Sequence, residues 1–153
     1  MKIVLLALGK LKSAPLRELT HDYLSRLRRY GPTEIIELKA ADPGLPNQAV
    51  AQESARILAT IEPADKVFVL DERGLQVTSV ELSKIIGNEE LQAVKRMVFV
   101  LGGAYGFGDS VRARGRMLAL SKLTFPHEFC RAIVLEQLYR ARTILHGEPY
   151  HHG

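Results

Sequence analysis

The chain has 153 residues, 46% of them hydrophobic, and 21 Lys and Arg against 17 Asp and Glu give it a net charge of +4. That length and apolar fraction suffice for one domain with its own core and leave no room for a second. A single cysteine excludes an intrachain disulfide, and the modest positive excess excludes a histone-like polycation while leaning towards polyanionic partners such as RNA. The first apolar run, Ile3–Leu8, reads as a strand. Broken by Gly9 and Lys10, it is too short for a signal-peptide core or a membrane span, so a soluble, cytoplasmic protein is expected. A helical pattern covers Pro15–Tyr30 and ends in the basic cluster Arg26, Arg28 and Arg29. A strand over Glu34–Leu38, a polar and Pro/Gly-rich connection over Ala40–Pro46 and a helix over Asn47–Ile61 follow.

The second half repeats the alternation. Lys66–Leu70 reads as a strand, and Thr78-Ser79-Val80-Glu81 has the form of a capping box, which starts a helix running to Ile86. Met97–Leu101 and Met117–Leu120 read as further strands. The last helix, Pro126–Leu145, repeats Cys130, Val134, Leu138, Ala141 and Leu145 at helical spacing, with Phe129, Ile133 and Ile144 widening the apolar face. Pro126 suits the first turn with Thr124 as its N-cap, and Gly147 and Pro149 stop the helix. Glu136 and Arg140 stand four apart in the favourable order for an ion pair. Strands alternating with helices predict an α/β fold, a mostly parallel sheet flanked by helices. Cys130, on the apolar side, reads as a buried structural thiol; it and His127 are too few to bind zinc, so no metal is expected.

Ligands of open α/β sheets sit at the carboxyl ends of the strands, and three loops begin there, at Leu70, Gly102 and Leu120. Gly102 to Gly108 follows a strand, but its spacing is not G-x-G-x-x-G and no Gly-Lys-Ser/Thr follows, which argues against a phosphate cradle. Glycines here suit positive φ and close approach of backbone to a flat ligand such as adenine. Two further basic clusters, Arg112-Arg114-Arg116 and Arg131-Arg140-Arg142, read either as RNA-facing patches or as solvated faces.

The segments LDERG (Leu70 to Gly74), VLGGAYG (Val100 to Gly106), LSKLTFPH (Leu120 to His127), EQLYRA (Glu136 to Ala141) and PYH (Pro149 to His151) occur in that order behind an MKIVLLALGKLK opening. With them the chain resembles, over its whole length, the RlmH-type methyltransferases of the SPOUT superfamily. Two departures are Leu123, where Met is common, and the ending His151-His152-Gly153. The resemblance implies a C-terminal trefoil knot, a homodimer and methylation of N3 of a pseudouridine in 23S ribosomal RNA, on the assembled ribosome. It implies S-adenosylmethionine as cofactor, held by Leu70, Gly102, Leu120, Ser121, Lys122, Leu123, Thr124 and Phe125. It also implies that Arg140, Tyr150 and His151 line the nucleobase pocket and that each cofactor pocket is completed by the tail of the partner subunit. A Tyr/His tail suits stacking on an unpaired base, and Arg140 suits charge developing on the carbonyl oxygens beside N3. His151, with an unperturbed pKa of roughly 6.5, is the candidate base, water being the alternative. Asp71 and Glu72 read either as groups near the ribose or sulfonium or as surface carboxylates. The rival from another class is a non-catalytic basic module that binds ribosomes without modifying them.

Overall fold

The computed structural model describes residues 1–42 and 44–153, so Pro43, within the connection expected over 40–46, lies outside the described residues. Strands β1 (Lys2–Leu8), β2 (Thr33–Leu38), β3 (Lys66–Gln76), β4 (Arg96–Leu101) and β5 (Arg116–Ala119) form a five-stranded sheet in the order β2-β1-β4-β3-β5. Every pairing in it is parallel. Helices α1 (Ala14–Leu27), α2 (Pro46–Thr60), α3 (Ser79–Leu91), α4 (Asp109–Arg114) and α5 (His127–Leu145) connect and cover it.

Why β1 and β4 are near-continuous apolar runs follows from their central places, which bury both faces. Ile3, Leu5 and Ala7 point into one core with Phe68, Phe99 and the α5 residues Leu135 and Leu138. Val4, Leu6 and Leu8 point into the other with Val98, Ile57 of α2 and Val111 of α4. The period-two alternation of strand side chains therefore feeds two cores, and α5 is the principal cover of the first.

Local signals place the ends of the helices. The Thr78 hydroxyl accepts from the Glu81 backbone N–H at 3.1 Å while the Glu81 carboxylate accepts from the Thr78 N–H at 2.7 Å, so the capping box is formed and α3 starts where the sequence puts it. The expected Thr124 cap is not made. The helix begins at His127, so Pro126 and not Thr124 occupies the N-cap position, without a side-chain bond, and in the preceding loop the Ser121 hydroxyl accepts from the Leu123 N–H at 3.0 Å. Glu128, in the first turn, instead accepts from the Lys12 N–H at 2.6 Å and ties the β1–α1 loop to α5.

Two elements differ from the sequence reading. Strand β3 does not end at Leu70: both Leu70 and Leu75 pair with Leu118, so Asp71 to Gly74 form an excursion from a strand that resumes to Gln76. Helix α4 was not anticipated, being too short to show an apolar period, though Asp109 in its first turn and Arg112 and Arg114 in its last match the helix dipole. The Arg131-Arg140-Arg142 cluster is not a basic patch. Arg131 is 2% exposed and donates from Nη2 to the carbonyls of Leu8 and Gly9 at 2.8 and 2.7 Å, while buried Arg142 pairs with Glu90. The two carbonyls satisfy Nη2, whereas Nη1 is buried without a hydrogen-bond partner and has only the Glu37 carboxylate 3.5 Å away to offset its charge.

Candidate active site

The carboxyl ends of β3, β4 and β5 lie side by side, since Leu70 is in register with both Leu101 and Leu118. The loops leaving them enclose a cleft of about 580 Å³. Its lining includes Leu70, Gly102 and the whole run Leu120, Ser121, Lys122, Leu123, Thr124 and Phe125, so the residues that the resemblance named for the cofactor meet at one place. A narrower apolar recess of about 320 Å³ shares Leu70, Leu120, Ser121 and Phe125 with it and runs on to Phe99 and Leu138.

The glycine loop shapes one wall. Gly106 has φ of 77°, in the left-handed region that favours glycine, and it closes back on Gly103 through an antiparallel bridge. At Gly102 the close neighbour is a side chain: a Cβ there would lie 3.1 to 3.3 Å from the ring of Phe107. Behind the loop, Glu53 of α2 accepts from the Ala41 N–H at 3.0 Å through Oε1, and its buried Oε2 lies against Gly103.

Cys130 also lines the cleft and is only half-buried, which corrects the expected buried thiol. Burial pushes its pKa up, keeping it protonated and a weak nucleophile. Asp71 lines the cleft but is engaged on both oxygens, accepting from the Arg73 N–H at 2.9 Å and from Arg112 Nε at 2.7 Å. Glu72 is exposed.

Arg140, Tyr150 and His151 form a second cluster. The Arg140 guanidinium donates to Glu136 Oε1, with Nε at 3.0 Å, and lies over the Tyr150 ring at 4.8 Å from its centroid. Its Nη1 stands 3.4 Å from Nδ1 of His151. The Tyr150 hydroxyl donates to Glu136 Oε1 at 3.1 Å and lies 3.2 Å from the Tyr23 hydroxyl, while its ring meets Tyr139 edge-on at 4.8 Å. Burial first, then the bond with Tyr23 and the Glu136 charge, push the Tyr150 pKa up, so it stays a neutral hydrogen-bonding phenol. Tyr30 anchors the same tail by donating to Glu148 at 2.7 Å, and burial together with that bond pushes it up to about 12.

The two clusters do not meet within one chain. Arg140, Tyr150 and His151 are not among the cleft's lining residues, and along α5 Arg140 lies about 20 Å from His127 at the helix start. Sequence reasoning missed Tyr23, Glu136 as the hub of the tail, and the Asp71–Arg112 pair. Only Glu136 carried a signal, its four-residue spacing from Arg140.

The site fits an adenosyl cofactor on its own chemistry. Leu70, Leu101, Phe107, Leu120 and Phe125 supply apolar surface, the exposed backbone of the glycine loop supplies polar edges, and the volume lies in the range of small-molecule pockets. Among the described residues no group of three or more His, Cys, Asp and Glu is placed to hold a metal, and no helix is long and apolar enough to cross a membrane.

Known proteins match the chain over nearly its whole length. The family described as "Predicted SPOUT methyltransferase" matches residues 1–151. A protein of Geobacter metallireducens named ribosomal RNA large subunit methyltransferase H is 46% identical over 154 aligned positions, covering 100% of both chains. Proteins of the same name from Gloeobacter violaceus, 41% identical over 100% of both chains, and Pelobacter propionicus, 40% identical over 99% of this chain and 100% of its own, are similar throughout. A match over nearly the whole length, on an all-parallel sheet with its cleft at the strand ends, means that the chain belongs to the SPOUT methyltransferase family.

Proposed function

We propose that this chain is an S-adenosylmethionine-dependent methyltransferase acting on N3 of a pseudouridine in 23S rRNA, on the assembled ribosome in the cytoplasm, as a homodimer with one SPOUT domain per chain. The observation that carries it is the convergence of three strand-end loops on one cleft, in a chain whose relatives are named as large-subunit rRNA methyltransferases. A non-catalytic RNA-binding module would account for the charge but has no need of such a cleft.

Bound in the cleft, S-adenosylmethionine would supply an electrophilic methyl group. The chain's own residues would do the rest. Leu70, Leu120 and Phe125 hold the apolar ring, and backbone groups of Gly102 and of the Leu120–Phe125 loop read its edge. Arg140, held by Glu136, faces the carbonyl oxygens flanking N3, where charge develops as the proton leaves. His151 takes that proton, and Tyr150 stacks on the base. Placing N3 in line with the methyl group is the principal contribution.

Distance supports the dimer. A tail seated about 15 Å along α5 from Cys130, the last residue of that helix in the cleft of its own chain, would serve the cleft of a second copy. The trefoil threading implied by the resemblance belongs to the same proposal.

The function is tested by incubating the protein with labelled S-adenosylmethionine and ribosomes lacking the modification. Label is expected at N3 of a single 23S pseudouridine; a protein that binds the cofactor but transfers no methyl group to ribosomes would overturn the assignment. Gly102→Val, which drives a branched side chain into Phe107 and the cleft wall, is expected to weaken cofactor binding by about 100-fold or more in a folded protein. Unchanged affinity would move the cofactor elsewhere.

The composite site has its own test. Gly102→Val and Arg140→Ala chains, each inactive alone, are expected on mixing to regain roughly a quarter of wild-type activity, because half the dimers are mixed and each has one intact cleft facing one intact tail. No recovery in a mixture shown by native mass spectrometry to contain heterodimers would place cleft and tail in the same chain.

A further inference from the structure

We propose that the Asp71–Arg112 ion pair is a positioning device for cofactor binding, holding the loop that leaves β3 at a set distance from the glycine loop that leaves β4. This rests on the cleft being the seat of the methyl donor.

Up to Leu70 and Leu101, neighbouring strands keep β3 and β4 in register through the backbone ladder. Beyond those residues both chains leave the ladder, yet the cleft lies between them, so its width must be set by something else. Asp71 is the first residue of the excursion from β3, and Arg112 belongs to α4, which closes the glycine loop. Their side chains meet at 2.7 Å, Nε to Oδ2, and are 5% and 18% exposed for Asp71 and Arg112, respectively.

Both ends of the pair are themselves fixed. Asp71 Oδ1 accepts from the Arg73 N–H at 2.9 Å, which turns the excursion back on itself. The backbone N–H groups of Val111 and Arg112 donate to the Gly108 carbonyl at 3.1 and 3.3 Å, which joins α4 to the end of the glycine loop. Arg112 Nη2 lies beneath the loop, 3.8 Å from where a Cβ of Gly106 would stand. Movement of either loop relative to the other therefore has to break a largely buried, charge-assisted bond.

Electrostatics agree with the geometry. Burial works against the Asp71 carboxylate, but the Arg73 N–H and the Arg112 guanidinium outweigh it and hold its pKa below the usual range. The bond to Asp71 likewise raises the pKa of Arg112. With each oxygen of Asp71 already accepting a bond, the carboxylate is committed to the loops, which argues against its being a direct ligand of the ribose or sulfonium. Asp109 adds only a weak contact to Arg112, at 3.4 Å from a fully exposed side chain.

The test is a double-mutant cycle on S-adenosylmethionine affinity, measured by calorimetry well below the melting temperature of each variant. Asp71→Asn and Arg112→Gln are each expected to weaken binding about tenfold, and the double variant no further than the weaker single, since the two side chains act as one unit. Methyl transfer at saturating cofactor should stay within about twofold of wild type, because the pair touches neither the base nor the tail. Asp109→Asn should leave affinity unchanged. Arg112→Lys, which keeps the charge but loses Nε and folds with less disturbance, should show an intermediate loss. Single variants that bind within twofold of wild type, an additive double variant, or a fall in turnover without loss of affinity would each overturn the proposal. Absence of cofactor binding by the wild-type protein would instead remove the assignment of the cleft.

Discussion

Replacement of Arg140 by Ala is expected to lower methyl transfer to ribosomes by roughly 10²–10³-fold, the scale of losing a preorganised donor at a developing oxyanion. Cofactor affinity should stay within about twofold, because in the proposed site Arg140 faces the nucleobase and not the adenine, and it lies outside the lining of its own cleft. Removing Tyr150–Gly153 should act the same way, since it deletes the stacking ring and His151 while sparing the cleft. Turnover should carry the loss if Arg140 acts on charge, whereas a loss in ribosome affinity alone, with a shallower salt dependence, would mark it as a phosphate contact. Glu136→Gln offers the complementary probe, because Glu136 holds both Arg140 and Tyr150 through one oxygen. Wild-type rates in the Arg140 and tail variants together would defeat the proposed base pocket.

The largest effect on stability is expected from Gly74→Ala. A Cβ at that position would lie 2.6 to 2.7 Å from N, Cα and C of Leu118, all backbone atoms of β5 that cannot yield as a side-chain tip does. The pairing of Leu75 with Leu118 would have to open, detaching the end of β3 from the strand that feeds the loop before α5. A destabilisation of about 4 kcal/mol or more is expected, enough to unfold a marginally stable domain. Gly102→Ala is the contrast: its Cβ meets only the Phe107 ring at 3.1 to 3.3 Å, which can shift by a few tenths of an ångström. Urea unfolding of both variants decides the matter, and a Gly74→Ala protein within about 1 kcal/mol of wild type would show that the excursion can move away from β5 at little cost.

What was legible in the sequence depended on how local its cause is. The strands were legible because central parallel strands are buried on both faces, so β1 and β4 appear as near-continuous apolar runs. The start of α3 was legible because a capping box satisfies backbone donors within three residues. The Thr124 cap failed because α5 starts at His127, which puts Pro126 at the N-cap position, and helix ends shift by a residue or two without a strong local signal. Cleft residues were named through resemblance to a family; from periodicity alone, Leu70, Leu120 and Leu123 read as ordinary core.

The sequence by itself determined the class of fold, the order of its elements, the strand-end loops that carry ligand-type residues and the family to which they belong. All of these are written in periodicity and short motifs, which act over a few residues. Only the tertiary structure decided which charges are functional surface and which are internal struts. Arg131 spans 123 positions to reach the carbonyl of Leu8, Arg112 spans 41 to reach Asp71, and Tyr150 spans 127 to meet Tyr23. No local pattern encodes such pairs, because each forms only where the folded sheet and helices bring distant backbone together, and burial then makes the partner obligatory. The separation of cleft from tail was decided in the same way, by the length of a rigid helix lying between them.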